Sequence, residues 1–198
     1  IKYTDEGVVN TMKNWRKALD AGCFIDNHQN YSWQEAQPAL INGEAAMYLM
    51  GNFLVPNLPQ ETQDNLDYWQ FPDINPGMAR GEDAPTDLIF MPANAQNKDN
   101  ARKFLEFVAQ AENIETFAGA LKNLPTHKDA ATVDDRFLKK GAKVLAASKT
   151  AQFYDRDTTP EMASAGMQGF QDFMLNPDDM MDILEEIEEE RTRIFGAL

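Results

Sequence analysis

A single cysteine, Cys23, in 198 residues excludes a disulfide within the chain and a thiolate metal cluster. Its local context is that of a small buried hydrophobe just past a helix end. A catalytic thiol needs a histidine beside it, and His28 and His127, the only two histidines, form no motif with it. Two histidines far apart in sequence also give no metal-ligand spacing. Asp73, Asp83 and Asp87 sit in loop sequence, yet without the spacing of a calcium loop. The 11 glycines never cluster, so no phosphate-cradling loop is present and no cofactor is expected. Positive charge is scarce: 18 Lys and Arg against 32 Asp and Glu leave a net charge of −14. That balance repels nucleic acid and anionic lipid. No apolar run approaches bilayer length, and no basic-then-apolar leader opens the chain. It begins at Ile1 rather than methionine, which suggests a mature or truncated piece.

What is present is ordinary globular material, 43% hydrophobic and 25% charged. Asp5 can cap a helix in which Val8, Met12, Trp15 and Leu19 recur at helical spacing until Gly22. Trp15 therefore reads as core. A second helix is expected over about 33–42, with Pro38 tolerable only near its first turn. Asn97 caps a helix whose Ala101, Phe104, Leu105 and Val108 face one way. A short helix near 114–120 ends at Leu124-Pro125-Thr126, and further helices are expected over 133–148 and 161–174. A separate final helix has Asn176 as N-cap, Pro177 at its first position, and Asp178 and Asp179 in the positive first turn. Met180, Ile183, Leu184, Ile187 and Ile194 form its apolar stripe, and the acidic run 185–190 reads as its solvated face.

Strands are expected at 45–50, at 66–71, and, as a buried apolar run, at 88–91. Between the last two, residues 72–85 are rich in Pro, Gly, Asp and Asn and read as a loop. The sum is a helix-rich α/β pattern.

No G-x-S-x-G elbow or triad is visible, which leaves a pair of cleft carboxylates as the one open enzymatic reading. Asp155 and Asp157 make such a pair, although pairs arise readily in so acidic a chain. Two groups instead suit a sugar, which presents flat C–H faces and rims of hydroxyls. One is Phe53, following Gly51 and Asn52 at the end of the expected strand. The other is the run Tyr154, Asp155, Arg156, Asp157. Taken alone, Phe53 also suits a core and the Asp/Arg run a surface ion pair.

The block Asn42-Gly-Glu-Ala-Ala-Met-Tyr-Leu-Met-Gly-Asn-Phe53 resembles the N/K-G-x-A-A-M-x-x-x-G-x-W segment of extracellular solute-binding proteins that feed sugars to ABC transporters. Downstream come the run from Leu88 to Phe107, Asn123-Leu-Pro-Thr126 and the Asn176-Pro-Asp-Asp-Met-Met181 helix, in the family's order. The chain resembles the C-terminal half of family 1, the group that includes maltodextrin-binding proteins. The resemblance implies a helix-rich, type II periplasmic-binding-protein fold in which two lobes close on a ligand. It assigns residues 1–79 and 126–198 to the second lobe and 80–125 to the first. It implies a mono- or oligosaccharide ligand, a membrane permease as partner, no enzymatic activity, and a periplasmic or extracellular location, with any lipid anchor lying in a missing N-terminus.

By the same resemblance, ligand contacts fall on Gly51, Asn52, Phe53, Thr86, Asp87, Tyr154, Arg156 and Asp157. Phe53 stands where the family has a sugar-stacking tryptophan, keeping a ring but losing the indole N–H. Thr86-Asp87 replaces a glycine-rich cleft loop. Residues 80–125 would lack the sheet they pack on, so an exposed apolar surface there, covered by self-association, is expected. A carbohydrate-active enzyme and a ligand-free interaction domain are the alternatives.

Overall fold

Helical hydrogen bonds close within a few residues, so the segments with local caps and stripes are the ones that form. The computed structural model describes residues 1–197. Its helices are α1 (Glu6–Asp20), α2 (Gln37–Ile41), α3 (Gln60–Asn65), α4 (Lys98–Val108), α5 (Ala111–Leu121), α6 (Arg136–Ala147), α7 (Pro160–Leu175) and α8 (Met180–Phe195). Two three-residue strands, β1 (Gly81–Asp83) and β2 (Lys149–Ala151), pair in parallel with Glu82 opposite Thr150. The helix-rich α/β class read from sequence is the one observed.

The chain divides into two compact units. One comprises residues 1–46 and the chain from Phe153 on; the other comprises 47–152. In the first, Met12 of α1, Met162 and Phe173 of α7, and Ile183, Leu184 and Ile187 of α8 form the core. Val8, Trp15, Leu19, Met180 and Ile194 pack against it, as their spacing predicts. The Trp15 ring lies 5.2 Å from that of Phe173, which is fully buried. Gly169 lets α7 and α8 approach closely, because a Cβ there would lie 2.5 Å from Ile187 Cδ1. Glu185, Glu186 and Glu189 face solvent, but Glu188 is held by Arg191 at 2.7 and 2.9 Å.

In the second unit, Leu54, Val55, Leu58, Ala118, Phe137 and Leu138 are buried. Asp135 caps α6, its Oδ1 accepting from the backbone N–H of Phe137 and Leu138 at 2.8 and 3.0 Å. Asn97 caps α4 similarly through Asn100 N–H.

Several sequence expectations need correction. Segments 45–50, 66–71 and 88–91 are not strands. A strand needs a hydrogen-bonded neighbour, which local β-propensity cannot supply. Segment 66–71 is tied to β1 and to the end of α6 through side chains instead: the Gln70 amide donates to Glu82, and to Ser148 Oγ at 3.1 Å. The sheet that does form uses residues 81–83, inside the expected loop. Leu88 and Phe90 are 79% and 77% exposed rather than buried. Phe104, Phe107, Phe117 and Leu121 are exposed too, giving the apolar surface expected over 80–125. Phe104 thus parts from Ala101, Leu105 and Val108, which are half-buried. Cys23 is exposed rather than buried, directly after Gly22 (φ +64°) ends the α1 region. Finally, α2 starts only at Gln37, which places Pro38 in its first turn.

Candidate functional site

The end of the Asn42–Phe53 block is a 3-10 turn over Asn52–Asn57, entered from extended backbone at Gly51. Leu54, Val55 and Leu58 are buried and fasten the turn to its unit. Asn57 Nδ2 donates to the Phe53 carbonyl at 2.9 Å. The Phe53 ring folds back over Gly51. A Cβ at that position would stand 2.4 Å from Phe53 Cε1 and 2.8 Å from Cδ1, so the glycine is required by ring proximity rather than by backbone conformation. Phe53 itself is half-buried.

Gly141 of α6 is a second seat in this unit. Tyr68 Oη, Asn52 Nδ2 and Leu124 Cδ1 lie 3.3, 3.6 and 3.7 Å from where its Cβ would be. The Tyr68 hydroxyl donates to the Phe137 carbonyl at 3.0 Å, and its ring stacks on Phe137 with centroids 6.2 Å apart. Lys140 Nζ lies 4.9 Å from the Tyr68 ring centre. Burial raises the Tyr68 pKa, with Asp67, Glu82 and Asp135 adding to it. Arg136 donates to the carbonyls of Gln63 and Leu66 at 2.5 and 2.6 Å, tying the end of α3 to α6. Asn52 and Phe53 are thereby held on a structured base. Thr86 and Asp87 lie in exposed, irregular chain after β1, whose end is closed by Ala84 N–H donating to the Ala151 carbonyl at 2.9 Å.

In the other unit, Tyr154–Arg156 forms a 3-10 turn. It is closed by the N–H groups of Arg156 and Asp157 donating to the Phe153 carbonyl at 2.9 and 3.0 Å. Asp155, Arg156 and Asp157 are exposed, whereas Tyr154 is half-buried. The Arg156 guanidinium stands 5.7 Å from the Phe153 ring centre. Tyr154 Oη bonds Tyr3 Oη at 2.7 Å and donates to the Met162 carbonyl at 3.3 Å. The Tyr3 pKa is raised by burial and by that hydroxyl contact.

The predicted site residues therefore form three local sets: Gly51, Asn52 and Phe53 in one turn, Thr86 and Asp87 in a loop, and Tyr154, Arg156 and Asp157 in another turn. Among the described residues, no group of three or more His, Cys, Asp or Glu is arranged to hold a metal ion. Sequence reading missed Gly141, Gly166 and Tyr3, which shape these sets. Isolated glycines and a tyrosine near the start carry no spacing signal, so nothing in the sequence singles them out.

Comparison with known proteins decides the family. A model described as "Bacterial extracellular solute-binding protein" matches residues 2–147. The chain belongs to that family. As a solute-binding protein it is similar to an uncharacterized ABC transporter extracellular-binding protein of Pyrococcus horikoshii, 32% identical over 126 residues, covering 63% of this chain and 28% of the relative. A Brucella abortus protein that also carries a binding-protein name is 27% identical over 65% of this chain and 31% of its own length. The solved structure of the bacterial solute receptor AcbH superposes with a TM-score of 0.90 at 28% identity. It covers 98% of this chain and 51% of AcbH, whose structures are described as revealing an exclusive substrate preference for β-D-galactopyranose. The chain thus spans about half of AcbH and under a third of the P. horikoshii and B. abortus relatives.

Proposed function

We propose that this chain belongs to the substrate-binding component of an ABC transporter. That component captures a sugar outside the cytoplasm, in the periplasm or at the cell surface, and hands it unchanged to a membrane permease. The observation that carries the reading is the close superposition on AcbH at 28% identity over nearly the whole chain. The printed preference of AcbH makes β-D-galactopyranose the first candidate ligand and favours a monosaccharide over an oligosaccharide.

In this reading Phe53 offers its ring to the apolar face of the sugar, with Gly51 allowing the ring its place and Asn52 supplying an amide. Thr86, Asp87, Arg156 and Asp157 supply hydrogen bonds to hydroxyls, those of the three ionised groups being charge-assisted, while Tyr154 belongs to the same turn as Arg156. The assignment of residues 1–79 and 126–198 to one lobe and 80–125 to the other rests on the family resemblance, as does closure of the lobes as the signal the permease reads.

Calorimetric titration with D-galactose, D-glucose and maltose, followed by chromatography of the recovered sugar, tests the reading. Saturable heat with galactose returned unchanged is expected. Cleaved or modified sugar would transfer the case to a two-carboxylate enzyme, and silence with every sugar would overturn the ligand class.

A further inference from the structure

The backbone bonds of the Phe153–Asp157 turn close it on itself, and side chains tie it to the rest of its unit. The Tyr154 side chain fastens the turn to its unit. Its hydroxyl sits in a notch on α7 made by the missing side chain of Gly166: a Cβ there would be 1.9 Å from Tyr154 Oη, 2.6 Å from Cζ and 2.9 Å from Cε1. The ring meets Phe170 edge-on at 5.5 Å. The hydroxyl donates to the Met162 carbonyl at 3.3 Å, leaving a lone pair for the hydroxyl of Tyr3 at 2.7 Å. Tyr3 is held in its turn by α8, its backbone N–H donating to Glu188 Oε2 at 3.0 Å, and Glu188 is gripped by Arg191.

We infer that Tyr3 and Gly166 are positioning residues for the Arg156–Asp157 turn. They act through Tyr154, which serves as the anchor of the turn while Arg156 and Asp157 face the ligand. The positioning role stands on the geometry of one unit, and its meaning for sugar capture rests on the function proposed above. Any side chain at position 166 must eject the Tyr154 hydroxyl from its notch. Removing the Tyr3 hydroxyl takes away one hydrogen bond of the anchor. Gly169, one turn further along α7, is an internal control. A Cβ there also collides with packed atoms, but those of Ile187 and Ile183 rather than of Tyr154.

Limited trypsin digestion of the full chain, read by mass spectrometry, reports on the turn directly, because Arg156 is itself a cleavage site. Cleavage after Arg156 tracks the opened fraction of the turn when reclosing is fast. Relative to cleavage after Arg80 in the other unit, it should rise about fivefold in Tyr3→Phe, the loss of one net hydrogen bond. In Gly166→Ala it should rise at least about tenfold, and in Gly169→Ala it should stay near the wild-type ratio. An equal rise in Gly166→Ala and Gly169→Ala would overturn the inference, showing general loosening of α7. An unchanged ratio in both Tyr3→Phe and Gly166→Ala would overturn it as well. Tyr3→Phe keeps the test decisive if Gly166→Ala does not fold. Galactose titration of the same variants separates the two claims. Weaker binding in Tyr3→Phe supports both. Selective cleavage with no galactose binding even in wild type upholds the anchor and overturns the sugar reading alone.

Discussion

Replacing Gly169 by alanine tests the packing of α7 on α8, and the structure fixes the direction of the result. In an exposed helix interior the change would stabilise by about 1 kcal/mol, because alanine forms helix better than glycine. Here the new methyl would lie 2.5 Å from Ile187 Cδ1, 2.7 Å from Cγ1 and 3.4 Å from Ile183 Cγ2. Overpacking of that kind costs about 1–3 kcal/mol, so Gly169→Ala should be neutral to roughly 2 kcal/mol destabilising. Ile187→Ala should cost about 2–5 kcal/mol by emptying a site only 3% exposed. In the double variant the alanine at 169 enters space that Ile187 vacates. The pair should then be less destabilised than the sum of the singles by about 1–2 kcal/mol, a coupling typical of residues in contact. Urea unfolding followed by far-UV circular dichroism measures all four corners of the cycle. Additivity within about 0.5 kcal/mol would refute the close approach. So would net stabilisation by Gly169→Ala near the full helix-propensity gain.

Glu188 is held down to about 2 by its bonds to Arg191, with the Tyr3 N–H assisting. Its folded pKa lies below the 4.5 of an unperturbed glutamate, so its stabilising effect is complete above pH 4.5 and is lost as pH falls towards 2. Arg191→Met should therefore raise the pH midpoint of acid unfolding, with a difference of about 1–2 kcal/mol above pH 5 that vanishes near pH 2; a pH-independent difference would contradict this. Asp135→Ala should cost about 1 kcal/mol in urea unfolding, since that carboxylate accepts from two N–H groups of α6. Asp5→Ala should cost less, because the Asp5 side chain accepts from Lys2 N–H and caps no helical donor. The exposed Leu88, Phe90, Phe104 and Phe107 predict concentration-dependent self-association in sedimentation velocity, reduced by Phe104→Ser and Phe107→Ser; a monomer at every concentration would contradict that.

The sequence by itself determined most of the helices and the family. The stripe from Val8 to Leu19, the cap Asn97 and the apolar spacing along α8 all act through bonds and contacts closed within a turn or two, so they read directly from neighbouring residues. The ordered family blocks are legible for the same reason, each being a contiguous run of residues. Only the tertiary structure decided where strands exist. Residues 81–83 become a strand because 149–151 lies beside them, while the more strand-like 45–50 and 66–71 do not pair. It also decided why position 141 seats Tyr68 and Asn52 and why position 166 receives Tyr154. Each depends on atoms brought together from distant parts of the chain. A glycine that makes room for a remote side chain looks no different, in sequence, from one that does not.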